Sequence, residues 1–160
     1  MQILNILWPT FLLVAVIFVV WATMIVRRLG HMKRNPPAAG DFADRGAMLR
    51  YFGGADTPAN NLANLFEMPV LFFALVPLLI ATHAAGPVQV LLAWAFVLLR
   101  AAHSAIHLGP NSVRARFAVY LLSSVLLAAM WIGFFVDALS AAAMVHQANA
   151  VLGAMPGPAS

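Results

Sequence analysis

The sequence predicts an all-α membrane protein, a four-transmembrane-helix bundle formed by a single domain. Hydrophobic residues make up 63% of the 160-residue chain and charged residues only 9%, whereas soluble domains carry about 25% charged residues. Four apolar runs are each close to the ~20 residues that cross a bilayer core. Because these runs are continuous rather than alternating, they favour helices over the strands of a membrane barrel.

The four helices are predicted to form a membrane domain over residues 1–140, followed by a flexible C-terminal tail at 141–160. We expect the helices at about 3–28, 58–82, 87–108 and 113–138, with a basic loop at 29–57 after the first helix. The first apolar run is too long for a signal-peptide core and lacks a basic segment before it. We therefore interpret it as a retained helix.

The basic loop carries capping and turn signals of its own. Asp41 is a candidate N-cap, and Gly53 a candidate stop, for a short helix at the membrane interface. Thr57 is predicted to cap the second membrane helix, with Pro58 at its first helical position. The loop is therefore expected to be partly structured rather than a simple linker.

Positive charge is concentrated in two of the connections between the helices. These connections contain Arg27, Arg28, Lys33, Arg34, Arg45 and Arg50 after the first helix, and Arg114 and Arg116 after the third. The positive-inside rule places both connections in the cytoplasm and both termini outside it, in a multi-pass protein of the inner (cytoplasmic) membrane. This topology accounts for the net charge of +4, so membrane lipid is an expected partner and nucleic acid is not.

Two of the predicted helices each carry a stripe of polar residues. The stripes consist of Asn60, Asn64 and Glu67 on the second helix, and of Arg100, His103 and His107 on the third. Their spacings of three and four residues put the members of each stripe on one helical face. At ~1.5 Å per residue the two stripes lie at similar depths from the cytoplasmic end. We expect them to face one polar cavity, because ionisable residues inside a membrane mark functional sites.

Two other interpretations of these residues remain open. Glu67 and Arg100 could form a structural ion pair, with the Asn and His side chains as hydrogen bonds between helices. His103 and His107 could ligate a metal together with Glu67. However, residue 104 is Ser, so the H-E-x-x-H motif is absent, and no metal is expected. The chain has no cysteine, which excludes disulfides and thiolate ligands.

The segments "NLFEMPVLF" at 64–72 and "RAAHSAIHLGPNSVR" at 100–114 resemble the MAPEG family, the membrane-associated proteins in eicosanoid and glutathione metabolism. The first is similar to the family's N-x-x-E followed closely by Pro. The second has the family's spacing of Arg, two ring-bearing residues and Arg. The resemblance, to a bacterial-type member, implies a homotrimer whose sites lie between subunits, face the cytoplasm and hold bent glutathione.

The resemblance also implies roles for individual residues. Asn64 and Glu67 would hold polar groups of glutathione, with Glu67 pairing its α-amine, and Arg100 would meet a carboxylate. His103 and His107 occupy positions that carry Tyr in leukotriene-synthase-like members. Asn60 and Met68 stand where glutathione-binding members usually carry a basic residue and often a Tyr.

The implied activity is that of a membrane glutathione transferase or peroxidase. Arg114 would lie beside the thiol, and the resulting thiolate would attack a small hydrophobic electrophile or hydroperoxide. Arg116 is expected to matter less, because it points about 200° around the helix from Arg114 at ~3.6 residues per turn. The alternative is a non-catalytic membrane protein on the same scaffold, either an accessory subunit or a lipid-binding module.

Overall fold

The computed structural model describes residues 2–154, which are helical apart from short connections. In chain order its helices are α1 (Gln2–Arg34), α2 (Arg45–Phe52), a 3-10 turn (Gly53–Asp56), α3 (Thr57–Leu65), α4 (Met68–Ala81), α5 (Pro87–Leu108) and α6 (Val113–Ala154). Four stretches are long and apolar enough to cross a membrane: Leu4–Arg34, Arg45–Ala81, Pro87–Leu108 and Val113–Val151. The prediction of an all-helical protein with four spans is confirmed.

The core of the bundle lies where α5 packs against α6, α1 and α3. Apolar side chains from α1, α4, α5 and α6 fill it, among them Leu13, Leu75, Val97 and Met130, all nearly inaccessible to solvent. Phe72 of α4 stacks on Phe96 of α5, with ring centroids 5.0 Å apart. The outer faces carry many exposed Leu, Val and Phe side chains, as expected for helices that are solvated by lipid.

The second predicted helix is interrupted, whereas one continuous helix was expected at about 58–82. α3 ends at Leu65 and α4 begins at Met68, and Glu67 between them has a non-helical φ of −92° and ψ of −97°. The cause is Pro69 in the first turn of α4. Proline has no N–H to bond the carbonyl of Leu65 and its ring crowds that carbonyl, so the helix breaks just before it.

Two helices extend further than predicted. α1 continues to Arg34 rather than residue 28, because the first breakers are the prolines at 36 and 37. α6 continues to Ala154 rather than residue 138. Residues 141–154 are thus helical where a flexible tail was expected, since this stretch is rich in Ala, the strongest helix former. Residues 155–160 of that expected tail lie outside the described residues.

The short helix in the basic loop is present, but its cap differs from the prediction. Asp44, not Asp41, caps α2 by accepting a hydrogen bond from the Ala47 N–H at 2.7 Å. The helix ends at Gly53, whose φ of 46° favours glycine. α3 is preceded by Asp56 at the N-cap position rather than Thr57, and the predicted proline lies in its first turn.

One end of the bundle is formed by the end of α1, by α2 and by the turn between α5 and α6, and we call it the basic end. Arg28 of α1 forms an ion pair with Asp56 at 2.6 Å and lies 4.9 Å from the ring centroid of Phe52. Arg27 donates to the Leu108 carbonyl at the end of α5. These contacts attach the start of α3 to α1. α3 carries Asn60 and Asn64 of the predicted polar stripe.

Candidate functional site

A cavity of about 230 Å³ opens at the basic end, where the break between α3 and α4 faces α5 and the first two turns of α6. It is lined by Asn64, Glu67, His103, Val113, Arg116, Phe117 and Tyr120. Polar residues of the second and third spans therefore do meet at one place. The wall contributed by α6 differs from the prediction, which assigned the main role on that helix to Arg114 and a lesser one to Arg116.

Arg100 lies within the protein beside this cavity and is completely inaccessible to solvent. Its guanidinium donates from Nη2 to the backbone carbonyl of Asn64 and lies 5.3 Å from the ring centroid of Tyr120. The Asn64 carbonyl belongs to the last turn of α3, where carbonyls lack helical partners. The Nε and Nη1 atoms of Arg100 are buried and have no hydrogen-bond partner in the described part of the chain. Such a buried cation is costly unless a polar or anionic group reaches it.

Glu67 is exposed and occupies the N-cap position of α4 without forming a side-chain cap hydrogen bond. Across residues 2–154 the ion pair within 4.0 Å is Arg28–Asp56, so Glu67 and Arg100 do not form the structural pair considered above. The carboxylate at the cavity wall is consequently available to a cationic ligand group.

The two imidazoles of α5 are both buried and both contact Arg116 of α6. The Nδ1 atom of His103 lies 3.1 Å from the Arg116 carbonyl. Nη1 of Arg116 lies 2.8 Å from His107 Nε2 and 2.8 Å from Asn111 Oδ1. Because a carbonyl only accepts and a guanidinium only donates, these partners assign a proton to His103 Nδ1 and a lone pair to His107 Nε2.

This assignment leaves each imidazole with one buried nitrogen that has no partner within the described residues: Nε2 of His103 and Nδ1 of His107. The first would be an acceptor and the second a donor. No group of three or more His, Cys, Asp or Glu residues within 2–154 could hold a metal ion. Both imidazoles contact Arg116, His103 through the backbone carbonyl and His107 through the guanidinium.

The other predicted site residues lie outside this cavity in the single chain. Asn60 is exposed, and its neighbour Asn61 is the one that is buried, where it hydrogen-bonds Ser104. Arg114 is exposed and is not among the residues that line the cavity. Its role in catalysis stays a prediction.

Arg116 was expected to matter less than Arg114 and Tyr120 was not considered, although the sequence does hold a signal for both. They are four residues apart on α6, as His103 and His107 are on α5. Side chains at this spacing lie on one helical face. The two pairs do face each other: the His103 ring centroid is 5.9 Å from that of Tyr120.

A family model described as the MAPEG family matches residues 6–136. The matched segment contains the cavity and all its lining residues. It confirms the resemblance to the family, whereas the bacterial-type subgroup stays a prediction. No curated protein and no solved structure matches the chain. Because the match extends over far more than half of the 160 residues, the chain belongs to the MAPEG family.

Proposed function

We propose that the protein is a membrane glutathione-dependent transferase or peroxidase that acts on hydrophobic electrophiles or hydroperoxides. MAPEG members include glutathione transferases and peroxidases as well as non-catalytic proteins. Glutathione would enter the cavity from the cytoplasm, to which the positive-inside rule assigns the basic end. The hydrophobic second substrate would arrive from the bilayer.

The distribution of charge around the cavity carries this proposal. Glutathione has one ammonium group and two carboxylates at neutral pH. Glu67 offers an exposed carboxylate for the ammonium group, and Arg116 in the wall offers a cation. Arg100 beside the cavity has two N–H-bearing nitrogens without partners in the described residues. Pairs of this kind form charge-assisted hydrogen bonds, which are about twice as strong as neutral ones.

The size of the cavity supports a shared site in a homotrimer. Its volume is about 230 Å³, which is below the ~300–1,000 Å³ typical of small-molecule sites. A neighbouring copy packed against the open side would enlarge and close it. Arg114, exposed on α6 of the single chain, could then reach a ligand held between two subunits.

The proposed chemistry begins with an ionised thiol. A free thiol has a pKa of about 8.5 and is only a few per cent thiolate at neutral pH. Arg114 near the start of α6 would stabilise the thiolate, aided by the positive end of the helix. The sulfur then forms a C–S bond as the leaving group departs. With a hydroperoxide it attacks oxygen, the O–O bond breaks, and a second glutathione completes the disulfide.

The test is whether the purified protein binds glutathione and ionises its thiol. The chain has no cysteine, so thiolate absorbance near the far-ultraviolet edge would come from the added ligand alone. We expect this signal at neutral pH with glutathione, and binding without the signal with S-methylglutathione. Binding of glutathione without a thiolate would refute the enzyme and favour a carrier. No binding of either compound would refute the glutathione assignment.

The non-catalytic alternative has one specific observation in its favour. Position 60 carries a neutral, exposed Asn, and position 68 carries Met, where glutathione-binding members usually have a basic residue and often a Tyr. These changes would remove one charge contact and one hydrogen-bond donor. The alternative is weakened because its main structural element, an ion pair between Glu67 and Arg100, is not formed.

A further inference from the structure

We propose that the groove between α1 and α5 binds an anionic phospholipid of the cytoplasmic leaflet, with an acyl chain in the groove and the phosphate on Arg27. The groove has a volume of about 340 Å³, and its walls come from the middle of α1 and the last two turns of α5. It lies apart from the candidate functional site, which is formed by the α3–α4 break, α5 and α6. The inference is therefore independent of the thiol chemistry proposed above.

The groove suits a hydrocarbon chain because its walls are apolar. The lining side chains include Leu12, Val16, Val20, Ala101, Ala105 and Leu108. Ser104 also lines the groove, but its hydroxyl donates to Asn61 Oδ1 on α3. Because Ala101 and Ala105 end at Cβ, they leave a hollow between the two helices. An apolar hollow of this kind offers water no hydrogen-bond partners and accepts apolar groups instead.

The length and depth of the groove match one leaflet of a bilayer. On α1 it runs from Leu12 to Val20, which is about 12 Å at ~1.5 Å per residue. One leaflet contributes about half of the ~30 Å hydrocarbon core. Leu108, the last residue of α5, marks the end of the groove next to the basic end. The groove therefore extends from the basic end toward the middle of the bilayer, as an acyl chain of that leaflet does.

Arg27 lies at the mouth of the groove and carries a charge that the protein does not neutralise. Its Nη2 donates to the carbonyl of Leu108 at 3.2 Å, and Leu108 lines the groove. The next residue, Arg28, is paired with Asp56. By contrast, no carboxylate of residues 2–154 lies within ion-pair distance of Arg27. Because Arg27 is also exposed, its charge and its other N–H groups are open to a ligand.

A lipid phosphate is the partner that fits an arginine in this position. A guanidinium can hold phosphate oxygens through two parallel hydrogen bonds. The positive-inside rule assigns the basic end to the cytoplasmic leaflet, which contains anionic lipids that attract basic residues near its surface. The groove adds close apolar contacts for one chain of the same molecule. Both contacts together distinguish this site from the general shell of lipid around the helices.

The first experiment counts the lipids that stay bound to the purified protein in native mass spectrometry. The probes are phosphatidylglycerol, phosphatidylcholine with the same chains, and glycerol phosphate. We expect one phosphatidylglycerol per protomer, about fivefold less phosphatidylcholine, and no retained glycerol phosphate. The fivefold preference corresponds to the ~1 kcal/mol that one basic residue contributes at an anionic membrane surface.

Substitutions of Arg27 test the phosphate contact. Arg27→Gln keeps a donor for the Leu108 carbonyl but loses the charge, so we expect it to lose the preference for phosphatidylglycerol. Arg27→Lys keeps the charge and should keep most of the preference. Arg45→Ala, in an exposed position of α2, removes one positive charge elsewhere at the basic end and should leave the preference unchanged.

The second experiment fills the groove. Ala105→Phe places a large side chain in the hollow, whereas Ala102→Phe is the matched control, because Ala102 is exposed on α5 and does not line the groove. We expect Ala105→Phe to reduce retained phosphatidylglycerol at least fivefold and Ala102→Phe to retain as much as wild type. Thermal melting checks that both variants fold, and the comparison of lipids on wild-type protein provides a test without either.

Four outcomes would overturn the inference. Equal retention of phosphatidylglycerol and phosphatidylcholine, or equal losses in Arg27→Gln and Arg45→Ala, would show that Arg27 holds no phosphate. Unchanged retention in Ala105→Phe would show that no chain lies in the groove. The same spectra report the oligomeric state: if Ala105→Phe dissociates an assembly that Ala102→Phe leaves intact, a second copy of the chain covers the groove, and the lipid assignment is wrong.

Discussion

Asn61 on α3 and Ser104 on α5 exchange two hydrogen bonds across the helix pair. Ser104 Oγ donates to Asn61 Oδ1 over 3.3 Å, and Asn61 Nδ2 donates to the Ser104 carbonyl over 3.5 Å. Both side chains are buried, so water does not compete for these bonds. The pair fixes α3 against α5 and thereby places the Asn64 carbonyl beside the guanidinium of Arg100.

Ser104→Ala should lower the unfolding free energy, because it leaves Asn61 Oδ1 without its donor. Interhelical hydrogen bonds in membranes are worth about 0.6 kcal/mol on average and up to ~1.7. Ser124→Ala is the matched control, since Ser124 Oγ bonds only the Tyr120 carbonyl of its own helix, at 2.9 Å. Reversible unfolding in mixed detergent would measure both. An equal loss of unfolding free energy in the two variants would show that the Asn61–Ser104 hydrogen bonds add no stability of their own.

Glu67→Gln should weaken glutathione binding without lowering the melting temperature. Glutamine keeps the size and an acceptor but loses the charge that would pair the ligand ammonium. Loss of a charge-assisted bond costs about 1.5–3 kcal/mol, or roughly ten- to hundred-fold in affinity. Because Glu67 is exposed and forms no ion pair with Arg100, folding should be unaffected. A marked fall in melting temperature with unchanged affinity would indicate a structural role instead.

Arg114→Ala should reduce the thiolate signal of bound glutathione without abolishing binding. Its side chain is exposed in the single chain, so it would act on a ligand at the interface with a neighbour. The comparison is the pH titration of the bound thiol in wild type and variant. Arg45→Ala, in an exposed position of α2, is a control for the loss of one positive charge. An unchanged titration would leave Arg116 as the remaining candidate cation.

The protein should form a homotrimer in mild detergent. One chain leaves the cavity open and one face of α6 uncovered: Phe117, Leu121 and Val125 are all more than half exposed. Neighbouring subunits would cover this face and close the site. Native mass spectrometry should show a three-fold species at micromolar concentration. A clean monomer that still binds glutathione would contradict the shared-site arrangement.

Gln89 and Gly133 should show strongly coupled stabilities. The Gln89 amide on α5 donates to the Met130 carbonyl on α6 at 3.0 Å, and a Cβ added to Gly133 would lie 3.1 Å from Gln89 Nε2. Gly133→Ala should therefore lower the unfolding free energy more in wild type than in the Gln89→Ala background, where the Gln89 amide that would crowd the new Cβ is absent. A double-mutant cycle of unfolding free energies measures the coupling. Additive effects would mean that the amide moves aside freely.

Composition and the four continuous apolar runs were sufficient to predict the four spans, because the requirement to satisfy every backbone group in lipid allows few alternatives. They could not predict the break at Glu67. Pro69 was visible in the sequence, but a proline can either bend a membrane helix or end it. Packing of Asn61 against Ser104 holds α3 in its separate direction, and such a contact depends on a helix that is remote in sequence.

The positions of the candidate site residues were also predicted only in part, because they too depend on contacts between helices that are remote in sequence. The structure does bring Asn64, Glu67 and His103 to one cavity, whereas their roles in binding stay a prediction. Helical spacing did not identify Arg116 as a lining residue, because spacing within α6 says nothing about how that helix is rotated against α5. The rotation that brings the Arg116 carbonyl to His103 depends on side-chain packing along the whole α5–α6 pair.

The break between α3 and α4 bears on biogenesis. α4 has 14 residues, about 21 Å at ~1.5 Å per residue, which falls short of the ~30 Å hydrocarbon core. The second crossing therefore needs α3, whose Asn61 is satisfied by Ser104 of the third crossing. We expect these two segments of the nascent chain to leave the translocon together as a helical hairpin. A ribosome-bound chain that ends before α5 should then remain poorly anchored in the bilayer.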